Sequence, residues 1–132
     1  MAVVDRVMII DDDEINNFIC VKNLKDSGFS TEANFYLRGK EGLEQLKNAS
    51  EDDLPDVIFL DINMPVMNAW EFLEEYKELS KGFSKEIKLF ILSSSVYKRD
   101  IAKSAEYPDV TDYIIKPLNK ATLQKVLETH FA

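Results

Sequence analysis

Polar side chains that could bind a metal ion and a phosphoryl group follow four of the apolar runs in this 132-residue chain. They are three carboxylates, one hydroxyl and one ammonium group: Asp11, Asp12, Asp61, Ser93 and Lys116. An acidic, oxygen-only set suits Mg²⁺, because that ion prefers a few carboxylates together with a carbonyl oxygen and retained water. The chain's single cysteine and single histidine lie outside this set, which speaks against zinc.

Asp61 stands out because it ends the apolar run 57–60 and is soon followed by the turn-like residues 63–65. A carboxylate can accept a phosphoryl group and become an acyl phosphate. Mg²⁺ and Lys116 would stabilise charge on the transferring oxygens, and Ser93 could donate a hydrogen bond to one of them. The sequence therefore predicts Asp61 as the acceptor, opposite the acidic pair that would bind the metal.

Each of these residues also has an ordinary structural explanation when it is taken alone. The acids at 11–14 could simply begin a helix, whose amino end favours negative charge. Asp61 could form a turn, and the serines at 93–95 could cap a helix or form a turn. The functional interpretation depends on their occurring together, in a consistent order, at the ends of successive strands.

Five apolar runs alternate with five segments of helical periodicity, which predicts a parallel sheet with helices on both faces. The predicted strands cover residues 6–10, 34–37, 55–60, 88–92 and 112–115, and the third begins at Pro55. The carboxyl ends of such strands lie at one edge of the sheet, where ligands bind in open α/β folds. The polar side chains should therefore converge there.

The helical segments are predicted from their apolar positions and their end signals. The positions expected to face the core are, helix by helix, Ile15, Phe18, Ile19 and Leu24; Leu43 and Leu46; Phe72, Leu73, Tyr76 and Leu79; Ile101, Ala102 and Ala105; Leu123, Val126, Leu127 and His130. Asn68 and Asn119 are predicted N-caps, and Gly28 is a left-handed residue that ends the first helix. Cys20 is expected to be a small core residue. The acidic segment 48–53 should be a solvated connection.

Length and composition limit the class of protein. A chain of 132 residues fits one domain with a true core. The net charge of −8 argues against general nucleic-acid or anionic-membrane surfaces, since both require clustered basic residues. One cysteine, together with the lack of a signal-peptide or transmembrane pattern, predicts a reducing, cytoplasmic setting.

Four motifs give the chain a resemblance to the receiver domain of two-component response regulators, the CheY-like family, over essentially its whole length. In order they are Ile9-Ile10-Asp11-Asp12-Asp13, Leu60-Asp61-Ile62-Asn63-Met64-Pro65, Leu92-Ser93-Ser94 and Tyr113-Ile114-Ile115-Lys116-Pro117. The resemblance implies a flavodoxin-like fold with strand order 2-1-3-4-5. It also implies a stand-alone receiver over residues 1–132 that has no output domain and is not an enzyme.

The resemblance assigns the chemistry of the site. Asp61 would take a phosphoryl group from a phosphohistidine on a sensor histidine kinase or a histidine phosphotransfer protein. Mg²⁺ would be held by Asp12, Asp61 and the main-chain carbonyl of Asn63, while Asp11 would act mainly through metal-bound water. Lys116, preceding a cis bond to Pro117, would pair with the phosphoryl group.

The resemblance also implies a switch. Ser93 would move toward the phosphoryl oxygen and vacate space into which Tyr113 turns. The surface formed by the fourth helix, the fifth strand and the fifth helix would then change and bind a downstream protein.

Two positions depart from the family's usual pattern. Ala69 stands where a glycine is usual, which is harmless only if that residue is already helical. Residues 107–110 replace the Gly-Ala that commonly precedes the fifth strand, so the output face is the least transferable part of the resemblance. Tyr97, Tyr107 and Val110 could form a partner-specific patch there or pack into the core.

Other functions compete with a terminal switch. The protein could instead be a relay intermediate that passes its phosphoryl group to a histidine phosphotransfer protein. A phosphohydrolase of the haloacid dehalogenase type is disfavoured, because Asn63 stands where its proton-donating aspartate would lie. A flavodoxin-like cofactor binder is disfavoured by carboxylates where its phosphate loop would be. A phosphorylation-independent receiver is disfavoured because the whole residue set is present.

Overall fold

The computed structural model describes residues 3–64 and 66–131, so Pro65 of the second motif lies outside the described residues. A five-stranded parallel sheet has the order β2-β1-β3-β4-β5, which confirms the predicted fold class. The strands are β1 Val4–Ile10, β2 Ser30–Tyr36, β3 Val57–Leu60, β4 Lys88–Ser93 and β5 Val110–Ile115. The helices are α1 Glu14–Asp26, α2 Gly39–Asn48, α3 Ala69–Ser80, α4 Lys98–Ser104 and α5 Lys120–His130. A short 3-10 helix, Glu51–Asp53, lies in the acidic connection before β3.

The central strand β3 shows why the sheet is covered on both faces. All four of its residues are buried, and successive side chains alternate between two apolar layers. Ile58 and Leu60 belong to the layer formed with α2 and α3, and Val57 and Phe59 to the layer formed with α1 and α5. A strand buried on both faces needs apolar residues throughout, which explains the unbroken run before Asp61.

The predicted helix ends are confirmed at three places. The Asn68 side chain accepts a hydrogen bond from the Glu71 amide, and the Glu71 carboxylate accepts one from the Asn68 amide, which completes a capping box. Asn119 caps α5 through the Thr122 amide. Gly28, with φ 76°, follows the end of α1 in the left-handed region.

Two strand boundaries differ from the prediction. β2 begins at Ser30, four residues before the predicted start at residue 34, because its pairing with β1 from Val4 onward outweighs the polar character of residues 30–34. Pro55 lies two residues before β3, which starts at Val57. Backbone pairing, rather than local composition, sets both limits.

Cys20 and Leu24 of α1 are buried as predicted, but the other positions predicted to be buried in α1 and all of those in α4 are exposed. Ile15, Phe18 and Ile19 are 76%, 68% and 51% exposed. The residues of α1 that are buried are Asn17, Cys20 and Leu24. In α4, the predicted positions Ile101, Ala102 and Ala105 are exposed, and Ser104 is buried instead. Both helices bury a polar residue and expose apolar ones, so hydrophobic periodicity indicates the wrong face.

Cys20 is buried as expected, and burial raises the pKa of its thiol to about 11, so it remains neutral. The described part of the chain contains no helix long and apolar enough to cross a membrane.

Candidate functional site

The ends of β1 and β3 bring three carboxylates together. The two strands are neighbours in the sheet, and the Asp61 amide donates to the Ile10 carbonyl at 2.9 Å. Asp11, Asp12 and Asp61 can each offer one oxygen such that these oxygens lie within 4.8 Å of one another. Asp11 and Asp61 are buried and Asp12 is exposed, so the cluster opens to solvent on one side.

Hydrogen bonds hold the Asp11 carboxylate on both of its oxygens. The Asp13 amide donates to Oδ1 at 3.0 Å. The Asn16 side-chain amide donates to Oδ2 at 3.2 Å, and the Lys116 ammonium group donates to the same oxygen at 2.6 Å. Most of the acceptor capacity of this carboxylate is therefore used by the protein.

Lys116, at the end of β5, lies between two of the carboxylates. Its Nζ is 2.6 Å from Asp11 Oδ2 and 3.7 Å from Asp61 Oδ1. Burial lowers the pKa of Lys116, but the hydrogen bond to Asp11 and the charges of Asp61 and Asp11 raise it above its ordinary value. The side chain is therefore a fixed positive charge. The Lys116–Pro117 peptide bond is cis.

Asp61 is 8% exposed, and its surroundings disfavour its charged form. Burial and the charge of Asp11 raise the pKa of its carboxyl to about 6, although Lys116 opposes the change. The single positive charge of Lys116 does not balance the three carboxylates, and a divalent cation would supply the missing positive charge. Three converging carboxylates without a nitrogen or sulfur donor fit Mg²⁺.

The loop after Asp61 presents Asn63 to solvent. Its neighbours Ile62 and Met64 are 4% and 7% exposed, so Asn63 is the exposed residue between two buried ones. Ala69 is the first residue of α3 and is fully buried. The alanine is helical here, so its replacement of the family's usual glycine introduces no backbone strain.

Ser93 ends β4 and is buried. Its hydroxyl oxygen accepts a hydrogen bond from the Ser95 amide at 3.0 Å, and its carbonyl accepts one from the Lys116 amide at 2.9 Å. The Tyr113 hydroxyl donates to the Ser95 carbonyl at 2.9 Å. In this structure the Tyr113 side chain is thus already turned inward, against the loop that follows Ser93.

Ser95 was not singled out by the sequence, yet three of its polar groups are engaged. In addition to the bonds to Ser93 and Tyr113, its hydroxyl lies 2.5 Å from an Asp100 carboxylate oxygen in the first turn of α4. A serine two residues after a strand resembles an ordinary turn residue, so no local signal reveals this link.

The loop that departs from the family pattern packs against α3. Tyr107 stacks on Trp70 with ring centroids 5.6 Å apart, and the Lys103 ammonium lies 5.2 Å from the centre of the Trp70 ring. Of the three residues considered for a patch, Tyr107 and Val110 are packed against the core and Tyr97 is 63% exposed. Core packing is therefore the role of two of them.

Comparison with known proteins agrees with this geometry. The sequence model of the family described as "Response regulator receiver domain" matches residues 7–128. A chemotaxis protein CheY from Treponema pallidum is 31% identical over 93% of this chain and 78% of its own length. The sensor histidine kinase CheAY of Helicobacter pylori is 37% identical over 92% of this chain.

Solved structures give the same result. A response regulator receiver protein from Dyadobacter fermentans matches with a TM-score of 0.83 at 31% identity, over 96% of this chain and 97% of that one. A two-component response regulator from Cytophaga hutchinsonii matches with a TM-score of 0.85 at 30% identity, over 95% of each chain. Among the curated relatives, the chain spans only 7% of a Dictyostelium discoideum hybrid histidine kinase and 14% of CheAY.

Proposed function

Because the chain belongs to the response regulator receiver domain family of two-component signalling, we propose that Asp61 is its phosphoryl acceptor and that residues 1–132 form a single receiver domain. The observation that supports this most strongly is the position of Asp61, nearly buried at the end of β3 beside Asp11, Asp12 and Lys116. An Asp61 oxygen would form a bond to phosphorus as the P–N bond of a donor phosphohistidine breaks. The bonding electrons remain with the departing imidazole nitrogen.

The residues around Asp61 have separate roles in this transfer. Lys116 can move from Asp11 toward Asp61 over a short distance, since its Nζ already lies 3.7 Å from Asp61 Oδ1. The Ser93 hydroxyl is positioned to donate to a phosphoryl oxygen once its bond with the Ser95 amide is released. Both contacts would strengthen as the phosphoryl group approaches Asp61, so they would stabilise the transition state more than the starting state.

Mg²⁺ would be held by Asp12, Asp61 and the main-chain carbonyl of Asn63, where it supplies charge neutralisation for the transferring oxygens. Asp11 would contribute through metal-bound water, because its two oxygens already accept three protein hydrogen bonds. The exposed position of Asp12 leaves its oxygens free to meet an ion at the open side of the cluster.

The proposed donor docks on the apolar surface of α1 that the sequence wrongly assigned to the core. Ile15, Phe18 and Ile19 are exposed on this helix, which begins three residues after Asp11. A contiguous exposed apolar patch beside a reaction centre is typical of a protein interaction site. The occupant would be the helix that bears the phosphohistidine, on a histidine kinase or a histidine phosphotransfer protein.

The docking role and the chemistry can be separated by changing the donor. Phe18→Gln should slow phosphoryl transfer from a phosphorylated histidine phosphotransfer protein and leave phosphorylation by acetyl phosphate unchanged. Val3→Gln is the matched control, because Val3 is also an exposed apolar residue but precedes β1 at the opposite edge of the sheet. Equal rates for Phe18→Gln and wild type with the protein donor would contradict this docking site.

Signal output would use the face formed by α4, β5 and α5. Ser95 contacts Ser93, Tyr113 and Asp100, so a displacement of Ser93 would reach the first turn of α4 through hydrogen bonds. This face would bind a downstream protein rather than nucleic acid or membrane, in keeping with the net charge of −8.

The acceptor is tested by intact mass spectrometry. The wild-type protein, incubated with MgCl₂ and acetyl phosphate, should gain one phosphoryl group, whereas Asp61→Asn and a chelator-treated wild type should gain none. An equal adduct on Asp61→Asn would refute the assignment. Continuous release of phosphate from simple phosphate monoesters would instead support a phosphohydrolase, which Asn63 disfavours because it cannot donate a proton as a carboxylic acid does. Loss of the adduct to an added histidine phosphotransfer protein would identify a relay intermediate.

A further inference from the structure

A fully buried asparagine lies directly behind the acidic cluster. Asn17 is 0% exposed and occupies the inner face of α1 with Cys20 and Leu24. Transfer of an amide side chain from water to such a position is unfavourable unless both of its polar ends find partners. The residue type therefore needs an explanation other than packing.

Among the residues that the structure describes, one end of the Asn17 side-chain amide has a partner and the other has none. Its Nδ2 donates to the main-chain carbonyl of Asp11 at 2.8 Å. Its Oδ1 is buried and has no hydrogen-bond partner among the described residues. Leucine has nearly the same size. It would remove this unpaired oxygen but also leave the Asp11 carbonyl without its donor, so its two effects on stability oppose each other and stability alone does not favour asparagine.

The paired end acts on the peptide group that joins Asp11 to Asp12. β1 ends at Ile10, so the Asp11 carbonyl lies beyond the regular strand. The Asp11 amide is held by the Tyr36 carbonyl at 3.1 Å, and Asn17 holds the carbonyl of the same residue. With both main-chain groups of Asp11 held, the Asp11–Asp12 peptide plane and the Asp12 Cα are also held, which limits where the Asp12 carboxylate can lie.

Asn16, the residue before Asn17, holds the side chain of the same aspartate. The Asn16 side-chain amide donates to Asp11 Oδ2, the oxygen that also accepts from Lys116. Asn16 and Asn17 together therefore hold the carboxylate and the carbonyl of one residue. The two neighbouring amides have one target, although they lie on different faces of α1.

We propose that Asn17 is a positioning residue for metal binding, which fixes the Asp11–Asp12 peptide so that the Asp12 carboxylate meets the ion, and the Asp11 carboxylate meets water bound to the ion, in one arrangement. This proposal depends on the proposed function, since it assumes that the acidic cluster binds Mg²⁺. Residues that orient metal ligands without touching the metal typically contribute 10–100-fold to metal affinity. Loss of the Asn17 amide should accordingly weaken Mg²⁺ binding by about 10-fold or more.

The experiment compares Asn17→Leu with Ser30→Ala by isothermal titration of the metal-free proteins with MgCl₂. Ser30 is a matched control, because its buried hydroxyl oxygen also has no partner in the described part of the chain, but it lies at the start of β2, at the opposite edge of the sheet. We expect Asn17→Leu to raise the Kd for Mg²⁺ about 10-fold while its Tm stays near that of wild type. Ser30→Ala should leave the Kd unchanged.

A second measurement reports on the peptide itself. In metal-free protein, Asn17→Leu should shift the NMR signals of the Asp11 carbonyl carbon and the Asp12 amide nitrogen, which share the peptide that accepts the hydrogen bond. If Asn17→Leu does not fold, Asn17→Ala is judged by the same Kd and the same signals.

The outcomes separate the two ideas. Absence of Mg²⁺ binding by the wild type would overturn the proposed function. Wild-type binding with an equal Kd for the folded Asn17 variant would overturn only the positioning role. An equal loss of affinity in Ser30→Ala would also overturn it, because the effect would then be general to the fold.

Discussion

Replacing Asp61 with asparagine should stabilise the metal-free protein, although it removes the proposed acceptor. Burial and the charge of Asp11 raise the pKa of the Asp61 carboxyl from 3.8 to about 6 in spite of Lys116. In the unfolded chain this carboxyl ionises with its ordinary pKa. At a pH above both pKa values, Asp61 is charged in the folded and in the unfolded protein. The charged form is less favourable in the folded protein, so it lowers the unfolding free energy.

The two pKa values give the size of the effect. The difference between 3.8 and about 6 corresponds to about 3 kcal/mol of unfolding free energy at neutral pH. Because solvent reaches one side of the cluster, we expect a measured gain of about 2 kcal/mol for Asp61→Asn. In a domain of this size that gain would raise Tm by roughly 5–10 °C.

The pH dependence has a definite sign. The folded-state pKa of Asp61 is raised, so its contribution to stability is fully present below pH 3.8 and is lost as pH rises through about 6. The advantage of Asp61→Asn over wild type should accordingly be small near the lower of these values and reach its full size above the higher one. Carboxylates far from position 61 contribute equally to both proteins and cancel in the difference.

Urea unfolding in the presence of a chelator, repeated across this pH range, measures the effect. Asp52→Asn is the control, since it removes an exposed carboxylate from the 3-10 helix and should change stability by less than about 0.5 kcal/mol. MgCl₂ at ten times its Kd should stabilise the wild type by about 1.4 kcal/mol and so reduce the difference in unfolding free energy between wild type and Asp61→Asn. A metal-free Asp61→Asn protein that is less stable than wild type at neutral pH would show that the buried Asp61 charge is not destabilising. A difference in unfolding free energy that does not shrink in acid would show the same.

Three further results are expected from the N-cap of α3, from the packing of α2 and from the contacts of Trp70. Asn68→Ala removes the capping box of α3 and should lower the unfolding free energy by about 1 kcal/mol in urea titration; an unchanged midpoint would contradict the cap's contribution. Gly42→Ala should destabilise by about 1–3 kcal/mol by the same measurement, because overpacking outweighs the alanine helix propensity. The added Cβ would lie 2.5 Å from Cδ1 of the fully buried Ile10. A gain in stability would show that the Ile10 side chain can move to make room for it. Phosphorylation should change the fluorescence of Trp70, the chain's single tryptophan, because Tyr107 and α4 contact its ring. An equal fluorescence change in Asp61→Asn treated with acetyl phosphate would show that the change does not depend on Asp61.

The convergence of the polar residues was predictable because it follows from the direction of parallel strands. Asp11 and Asp61 lie at the ends of neighbouring strands, and the sequence places each directly after a buried apolar run. Once the alternation of strands and helices is recognised, these side chains have only one edge at which to meet. The helix caps at Asn68 and Asn119 were predictable for a similar reason, since a cap is a local hydrogen bond.

The surface of α1 was not predictable from hydrophobic periodicity. Phe18 is exposed and Asn17 is fully buried, which reverses the ordinary preference of both residue types. The structure gives a reason for the buried amide, which holds the Asp11 carbonyl. An exposed phenylalanine beside the site fits a surface that another protein covers. A sequence pattern that records only polarity cannot separate such positions from core positions.

The polar contacts that Lys116 and Ser95 make in the site were also not predictable from the sequence. Lys116 lies nearer to Asp11 than to Asp61, and Ser95 connects Ser93 with Tyr113. These contacts join residues that are distant in the chain or belong to an irregular loop, and their geometry depends on how the whole sheet twists. Residue type and spacing alone do not determine it.

Chemical mapping locates the phosphoryl group on the chain and so shows whether Asp61 is the acceptor. The wild-type protein is phosphorylated with acetyl phosphate and MgCl₂, reduced with borohydride, digested and sequenced by mass spectrometry. Borohydride converts an aspartyl phosphate to homoserine, so we expect homoserine at position 61 and aspartate at positions 11 and 12. Homoserine at either of those positions, or aspartate alone at position 61 in protein that gained a phosphoryl group, would contradict it.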